Sequence, residues 1–168
     1  MLHHVSVGVR DVERALRFYD PVLGALGFKR VMEFLPFAVA YGESAPAFWV
    51  QLPHDTQPAT VGNGVHIGFI ATSRDAIVAF HAAALGAGGK DEGGPGPRPD
   101  YGPDYYGAFV RDPDGNKIEA VLTPRPAAPA KAKAPRKRAA AKRKRQPAAK
   151  KARGKKPVRR PAKSKRRR

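Results

Sequence analysis

The stretch Tyr105-Tyr106-Gly107-Ala108-Phe109-Val110-Arg111-Asp112-Pro113-Asp114-Gly115-Asn116-Lys117-Ile118-Glu119 fixes the reading of this chain. Residues 105–111 and 116–122 alternate as strands. Asp112-Pro113-Asp114-Gly115 between them is a turn, because proline presets φ and glycine permits a positive φ. Upstream, Gly86 to Pro103 is rich in Gly and Pro. It is expected to hold at most one weak strand and to be long enough to act as a lid. Before it, Thr72 or Ser73 caps a helix that carries Ile77, Phe80, Ala84 and Leu85 and is closed by Gly86. Residues 65–71 alternate as a further strand.

The same order stands nearer the N-terminus. Val5, Val7 and Val9 alternate with Ser6, Gly8 and Arg10, the period of a half-buried strand. Asp11 is a helix cap, and Val12, Ala15, Leu16, Tyr19, Leu23 and Leu26 fall at helical spacing. Pro21 predicts a kink or a restart, and Gly27 a stop. Residues 28–34, 38–42 and 47–52 read as three short strands. A shift of 62 residues lays His4 on His66, Val7 on Phe69, Asp11 on Ser73, Phe18 on Phe80 and Gly24 on Gly86. The chain is an internal repeat. The expected fold is α+β: two βαβββ units forming a curved mixed sheet over residues 1–124.

Strand parity assigns faces. Val5, Val7 and Val9 pack on the helix, as do Ile67 and Phe69, Phe48 and Val50, and Ile118 and Ala120. His4, His66, Gln51, Trp49 and Glu119 then fall on the opposite face. By the repeat, Gln51 is taken as the counterpart of Glu119. Two imidazoles and a carboxylate on one concave face suit a divalent metal such as Fe, Mn, Ni or Zn and leave coordination positions open. Gln51 would add a weak amide ligand. The plainer alternative is a set of separate polar residues on half-exposed strands.

These residues resemble a known family. His4-Val5-Ser6-Val7, Phe18-Tyr19 with Pro21-Val22-Leu23-Gly24, His66-Ile67-Gly68-Phe69, and the run from Tyr105 to Glu119 are similar to the vicinal oxygen chelate superfamily. That is the glyoxalase I, bleomycin-resistance and extradiol-dioxygenase group. The resemblance spans residues 2–123. It implies paired βαβββ units cupping a divalent metal, often with two chains building each cup, so a homodimer is expected. It maps metal ligands onto His4, His66 and Glu119, with Glu119 also the catalytic base. Gln51 stands where glyoxalase I often carries another Glu. Gly8 stands where the bacterial glyoxalases carry an Arg, and Asp55 where they carry an Asn. Glutathione is therefore not the expected substrate. A metal in such a cup would act as a Lewis acid on adjacent substrate oxygens.

Other side chains carry less. Trp49, Tyr106 and Arg98 are candidate pocket residues: an aromatic wall, a phenol donor and an anion contact. Tyr101 and Tyr105 are further candidates for the phenol. His3 faces the helix side by parity and is structural, and His54 and His81 are solvated or structural.

The rest of the chain is a different polymer. The protein has 168 residues and a net charge of +18. Residues 1–124 contain 10 Lys and Arg against 14 Asp and Glu, whereas residues 125–168 contain 22 Lys and Arg and no acid. The tail has no Ile, Leu, Met, Phe, Tyr or Trp, cannot bury a core, and reads as disordered. Its composition resembles the tails of histone H1-like bacterial proteins. Cation density without aromatics predicts sequence-independent nucleic-acid binding. Arg136, Lys137, Arg138, Lys142, Arg143, Lys144, Arg145, Arg166, Arg167 and Arg168 are its densest clusters. With no cysteine, thiolate catalysis and disulfide scaffolds are excluded. No run is apolar enough to span a membrane, and no secretory signal is visible. The protein is expected to be cytoplasmic, with the tail as a route to nucleoid association.

Three functions follow from these observations. The first is a metal-dependent enzyme of the glyoxalase or dioxygenase kind on a small oxygenated substrate, tethered to nucleic acid. The second is a metal-free, antibiotic-type ligand binder on the same fold. The third is a nucleoid-associated protein whose folded domain only dimerises the tails.

Overall fold

A computed structural model of the chain describes residues 2–123; the basic clusters of the tail lie outside these residues. The elements run β1 (Val5–Gly8), α1 (Val12–Gly24), β2 (Lys29–Phe34), β3 (Ala38–Gly42), β4 (Phe48–Gln51), β5 (His66–Ile70), α2 (Arg74–Gly86), β6 (Lys90–Pro97), β7 (Tyr106–Arg111) and β8 (Lys117–Leu122). They form two sheets of one topology, ordered β1-β4-β3-β2 and β5-β8-β7-β6. In each, the first and last strands of the unit pair parallel and the others antiparallel.

Local chemistry explains the two helices. Asp11 accepts from the Arg14 N–H and Ser73 from the Ala76 N–H; each such cap stabilises by roughly 1 kcal/mol. The caps and both helix ends are related by the 62-residue shift read from the sequence. The apolar stripe of α1 buries Phe18, Tyr19, Val22 and Leu23, and α2 buries Ile77, Phe80 and Ala84. These join Val39, Val50, Val110 and Ile118 in one core.

The turn before β8 ties the repeats together. Asp112 is 3 % exposed. Its carboxylate accepts from the Tyr19 hydroxyl at 2.7 Å, the Asn116 N–H at 2.7 Å and the Asp114 N–H at 2.9 Å. Asn116 donates onward to the Gly8 carbonyl at 3.0 Å. A buried carboxylate is tolerated because it is fully hydrogen-bonded. Gly115, with φ +100°, supplies the backbone conformation that the turn sequence requires.

Two expectations are corrected. Helix α1 does not restart at Pro21 but runs through it to Gly24. The stretch from Gly86 to Pro103 holds one strand, as expected, over residues 90–97. They form an eight-residue strand, β6, with register shifts between Asp91 and Gly93 and between Gly93 and Gly96. Irregular Gly- and Pro-containing strands survive at a sheet edge, which is where β6 lies. His3 is not packed on the helix side. It is exposed, with its Nδ1 2.7 Å from that of His4.

Candidate metal centre

Glu119 is central to the site. Its strand, β8, buries Ile118 and Ala120 on the core side, so Glu119 falls on the open face; yet it is only 3 % exposed. Glycine neighbours make this possible. Gly68 of β5 pairs in register with Glu119, and a Cβ there would lie 3.4 Å from Oε2. A Cβ on Gly107 of β7 would lie 3.0 Å from Oε1. The carboxylate fills the space that two absent side chains leave.

Both carboxylate oxygens are engaged. Tyr105 donates its hydroxyl to Oε1 at 2.5 Å, and Oε2 lies 3.3 Å from Nε2 of His66. Burial, followed by the hydrogen bond to the Glu119 carboxylate, raises the Tyr105 pKa, so the phenol remains a proton donor. His66 is half exposed and edge-on to Phe109, the register partner of Glu119 on β7. Arg98 and Lys117 lie over the same Phe109 ring, at 5.6 and 5.1 Å. The Arg98 guanidinium also donates to the carbonyls of Gly94 and Pro97.

The expected site residues therefore divide. His66, Glu119 and Arg98 share the open face of the second sheet. Tyr106 does not; it packs against the core and beneath Arg74, 4.9 Å from ring centroid to guanidinium carbon. The phenol on the carboxylate belongs to Tyr105, which the alternation read over 105–111 sets on the same face as Phe109, whereas Tyr106 falls with the core residues Ala108 and Val110.

His4, Trp49 and Gln51 belong to the first sheet, and the equivalence drawn for Gln51 is corrected by strand register. Gly68 opposite Glu119 corresponds, by the 62-residue shift, to Ser6 opposite Trp49. Trp49 is thus the counterpart of Glu119, and Gln51 is the counterpart of Val121. The loops between repeats differ in length, so sequence alignment without the ladder slips by two residues here.

The donor set is half complete within one chain. Among the described residues no cluster of three or more His, Cys, Asp or Glu is placed to hold a metal. His66 and Glu119 offer one imidazole nitrogen and one carboxylate oxygen side by side; His4 is not brought to them.

A duplicated βαβββ fold with a histidine and a buried glutamate on adjacent parallel strands defines a class of small α+β proteins whose sheets present polar groups on an open face. The chain belongs to the Glyoxalase/Bleomycin resistance protein/Dioxygenase superfamily, whose profile matches residues 1–120. It is 33% identical over 128 residues to a probable lactoylglutathione lyase of Synechocystis, covering 73% of this chain and 95% of that one. To the lactoylglutathione lyase of Haemophilus influenzae it is 30% identical over 126 residues, covering 70% and 89%. The solved structure of a glyoxalase/bleomycin resistance protein from Albidiferax ferrireducens superposes with a TM-score of 0.66 at 44% identity, covering 74% of this chain and 99% of that one.

Proposed function

We propose that the folded domain is a metal-dependent enzyme acting on a small oxygenated substrate, assembled as a homodimer, with the basic tail binding nucleic acid. The observation that carries the enzymatic reading is the His66–Glu119 pair, 3.3 Å apart on parallel strands, with the carboxylate buried against two glycines and held by Tyr105. A structural role gives no reason to bury an acid on the open face of a sheet.

His66 and Glu119 of one chain, with His4 of a second copy, would hold the metal. When bound, a divalent metal supplies Lewis-acid polarisation of a substrate oxygen. Tyr105 fixes one Glu119 oxygen, which leaves the other beside His66. Arg98 and Lys117 place positive charge around Phe109, where an anionic substrate oxygen would be stabilised.

Dimerisation is supported by the chain's unfinished edges. β1 and β5 both end their sheets, and a groove of about 740 Å³ beside them is lined by Val5, Phe28, Phe48, Ile67, Phe69 and Ile70, among others. Ile70 is 69 % exposed. Apolar strand edges of this kind are normally covered.

The substrate reading departs from the relatives' name. Gly8 offers no side chain to a glutathione carboxylate, and a Cβ there would lie 3.3 Å from that of Ala59. Gln51, an amide, stands where glyoxalase I often carries a further Glu. Both features favour a substrate other than a glutathione adduct.

Metal stoichiometry of untagged protein, measured by elemental analysis after dialysis against Mn, Ni, Zn or Fe(II), is expected to reach one per chain. His4→Ala and His66→Ala each abolish it. Mixing the two variants restores binding at one of the two cups in each mixed dimer, since one cup then keeps both imidazoles. Absence of metal in the unaltered protein defeats the reading. Truncation after Thr123 is expected to abolish binding to duplex DNA. Full-length affinity is expected to fall steeply with salt, as counterion release demands.

A further inference from the structure

The open face of the first sheet carries a feature that the metal reading leaves unused. β4 places Trp49 and Gln51 on this face. Their β3 partners, Ala40 and Ala38, present only methyl groups. Above that low floor Trp49 stacks on Phe34 of β2, with ring centroids 6.2 Å apart and planes at 16°. Phe34 is itself 56 % exposed.

A cavity of about 850 Å³ lies next along these strands; Trp49 and Phe34 do not line it, but Gln51, two residues beyond Trp49 on β4, and Ala38, the register partner of Phe34, do. Residues 53–59 close one side of it. Pro53 and Ala59 reach back over Gly8, where a Cβ would meet them at 3.7 and 3.3 Å. Phe37, 64 % exposed, supplies an aromatic wall. Arg10 is the single formal cation in the lining, no carboxylate lines the cavity, and its other polar side chains are those of Gln51, His54, Thr56 and Gln57. Ligand sites of this size are mostly apolar, with a few polar groups that set orientation.

We infer that this cavity binds a planar aromatic monocarboxylate, its ring on the Phe37 side beside the Trp49–Phe34 stack and its carboxylate toward Arg10. Exposed aromatic faces and edges favour another ring over a saturated one. One unopposed guanidinium matches one carboxylate. The inference deepens the homodimer reading, in which this face lines the same cup as the metal, but the pocket is built by one chain and its binding is read without metal.

Trp49 is the only tryptophan of the chain, so its fluorescence reports on this face alone. Metal-free, full-length protein is titrated with benzoate, with cyclohexanecarboxylate as the saturated anion of similar shape, and with benzyl alcohol as the uncharged ring. Benzoate is expected to change Trp49 emission saturably. The other two are expected to bind about tenfold more weakly. Arg10→Ala weakens benzoate to the level of benzyl alcohol, with an unchanged melting temperature showing that the fold is intact. Equal responses to benzoate and cyclohexanecarboxylate, or no saturable response, would overturn the proposal. Metal binding is measured on the same preparation with an independent readout, so failure of the metal centre leaves the benzoate result interpretable.

Discussion

On the first sheet Ser6 stands opposite Trp49; at the same register on the second, Gly68 stands opposite Glu119. The helix-facing sides of the two sheets are alike, apolar and buried, with Val7 and Val50 on one and Phe69 and Ala120 on the other. The open faces are chemically opposed. One is an aromatic platform beside a cavity, and the other a hydrogen-bonded acid beside an imidazole. A duplicated scaffold must keep its core pattern in both copies, because core packing loses stability when volume changes. The open faces bear no such constraint, so their chemistry is free to differ.

The largest expected effect tests the acidic face. Glu119→Gln keeps the shape and can still accept from Tyr105, so melting should shift little. Metal affinity should fall by roughly a hundredfold or more, since an amide is a poor substitute for an anionic ligand. An unchanged affinity would remove Glu119 from the centre. A smaller effect of opposite sign comes from erasing the contrast. Trp49→Glu places an acid at the register position equivalent to Glu119, and divalent-metal affinity measured by competition with a chelator should tighten by about tenfold. A neutral result would show that the first sheet does not face the metal.

The smallest effect concerns how each helix is tied to the edge strand of its unit. In the first unit the acid is on the helix: Asp20 of α1 accepts from Arg30 of β2 and from Tyr41. In the second it is on the strand: Asp91 of β6 meets His81 of α2 at 2.9 Å. Burial alone would raise the Asp20 pKa, but the hydrogen bonds from Arg30 and Tyr41 hold it below the ordinary value of 3.8. Asp91 is held low by His81 and then by the Gly93 N–H. A carboxyl depressed in the folded state stabilises fully above its unfolded pKa and loses that contribution as pH falls through the folded value. Thermal melts should therefore drop below about pH 4. Asp20→Asn should remove part of the drop, on the order of 0.5 kcal/mol at this partly exposed pair.

Much of this was legible along the chain. The apolar alternation, the caps at Asp11 and Ser73 and the Asp-Pro-Asp-Gly turn are local signals, and they placed both helices and nearly every strand. The strand over 90–97 was legible only as one weak strand somewhere in Gly86 to Pro103, because its Gly and Pro residues oppose strand propensity; pairing with β7 fixes where it runs. The choice between Tyr105 and Tyr106 was legible but unused: alternation over 105–111 sets Tyr106 with the core residues Ala108 and Val110, and Tyr105 opposite them.

The sequence alone determined that the described residues form a repeat, that each repeat begins with a histidine, and that residues 125–168 carry 22 Lys and Arg, no acid and no Ile, Leu, Met, Phe, Tyr or Trp. Those facts depend on composition and short-range periodicity, which chain order records directly. Tertiary structure decided which residues meet: that Glu119 is met by Gly68, Gly107, Tyr105 and His66, and that its counterpart is Trp49 rather than Gln51. Strand register depends on the lengths and paths of the intervening loops, and a slip of two residues preserves every face while changing every neighbour.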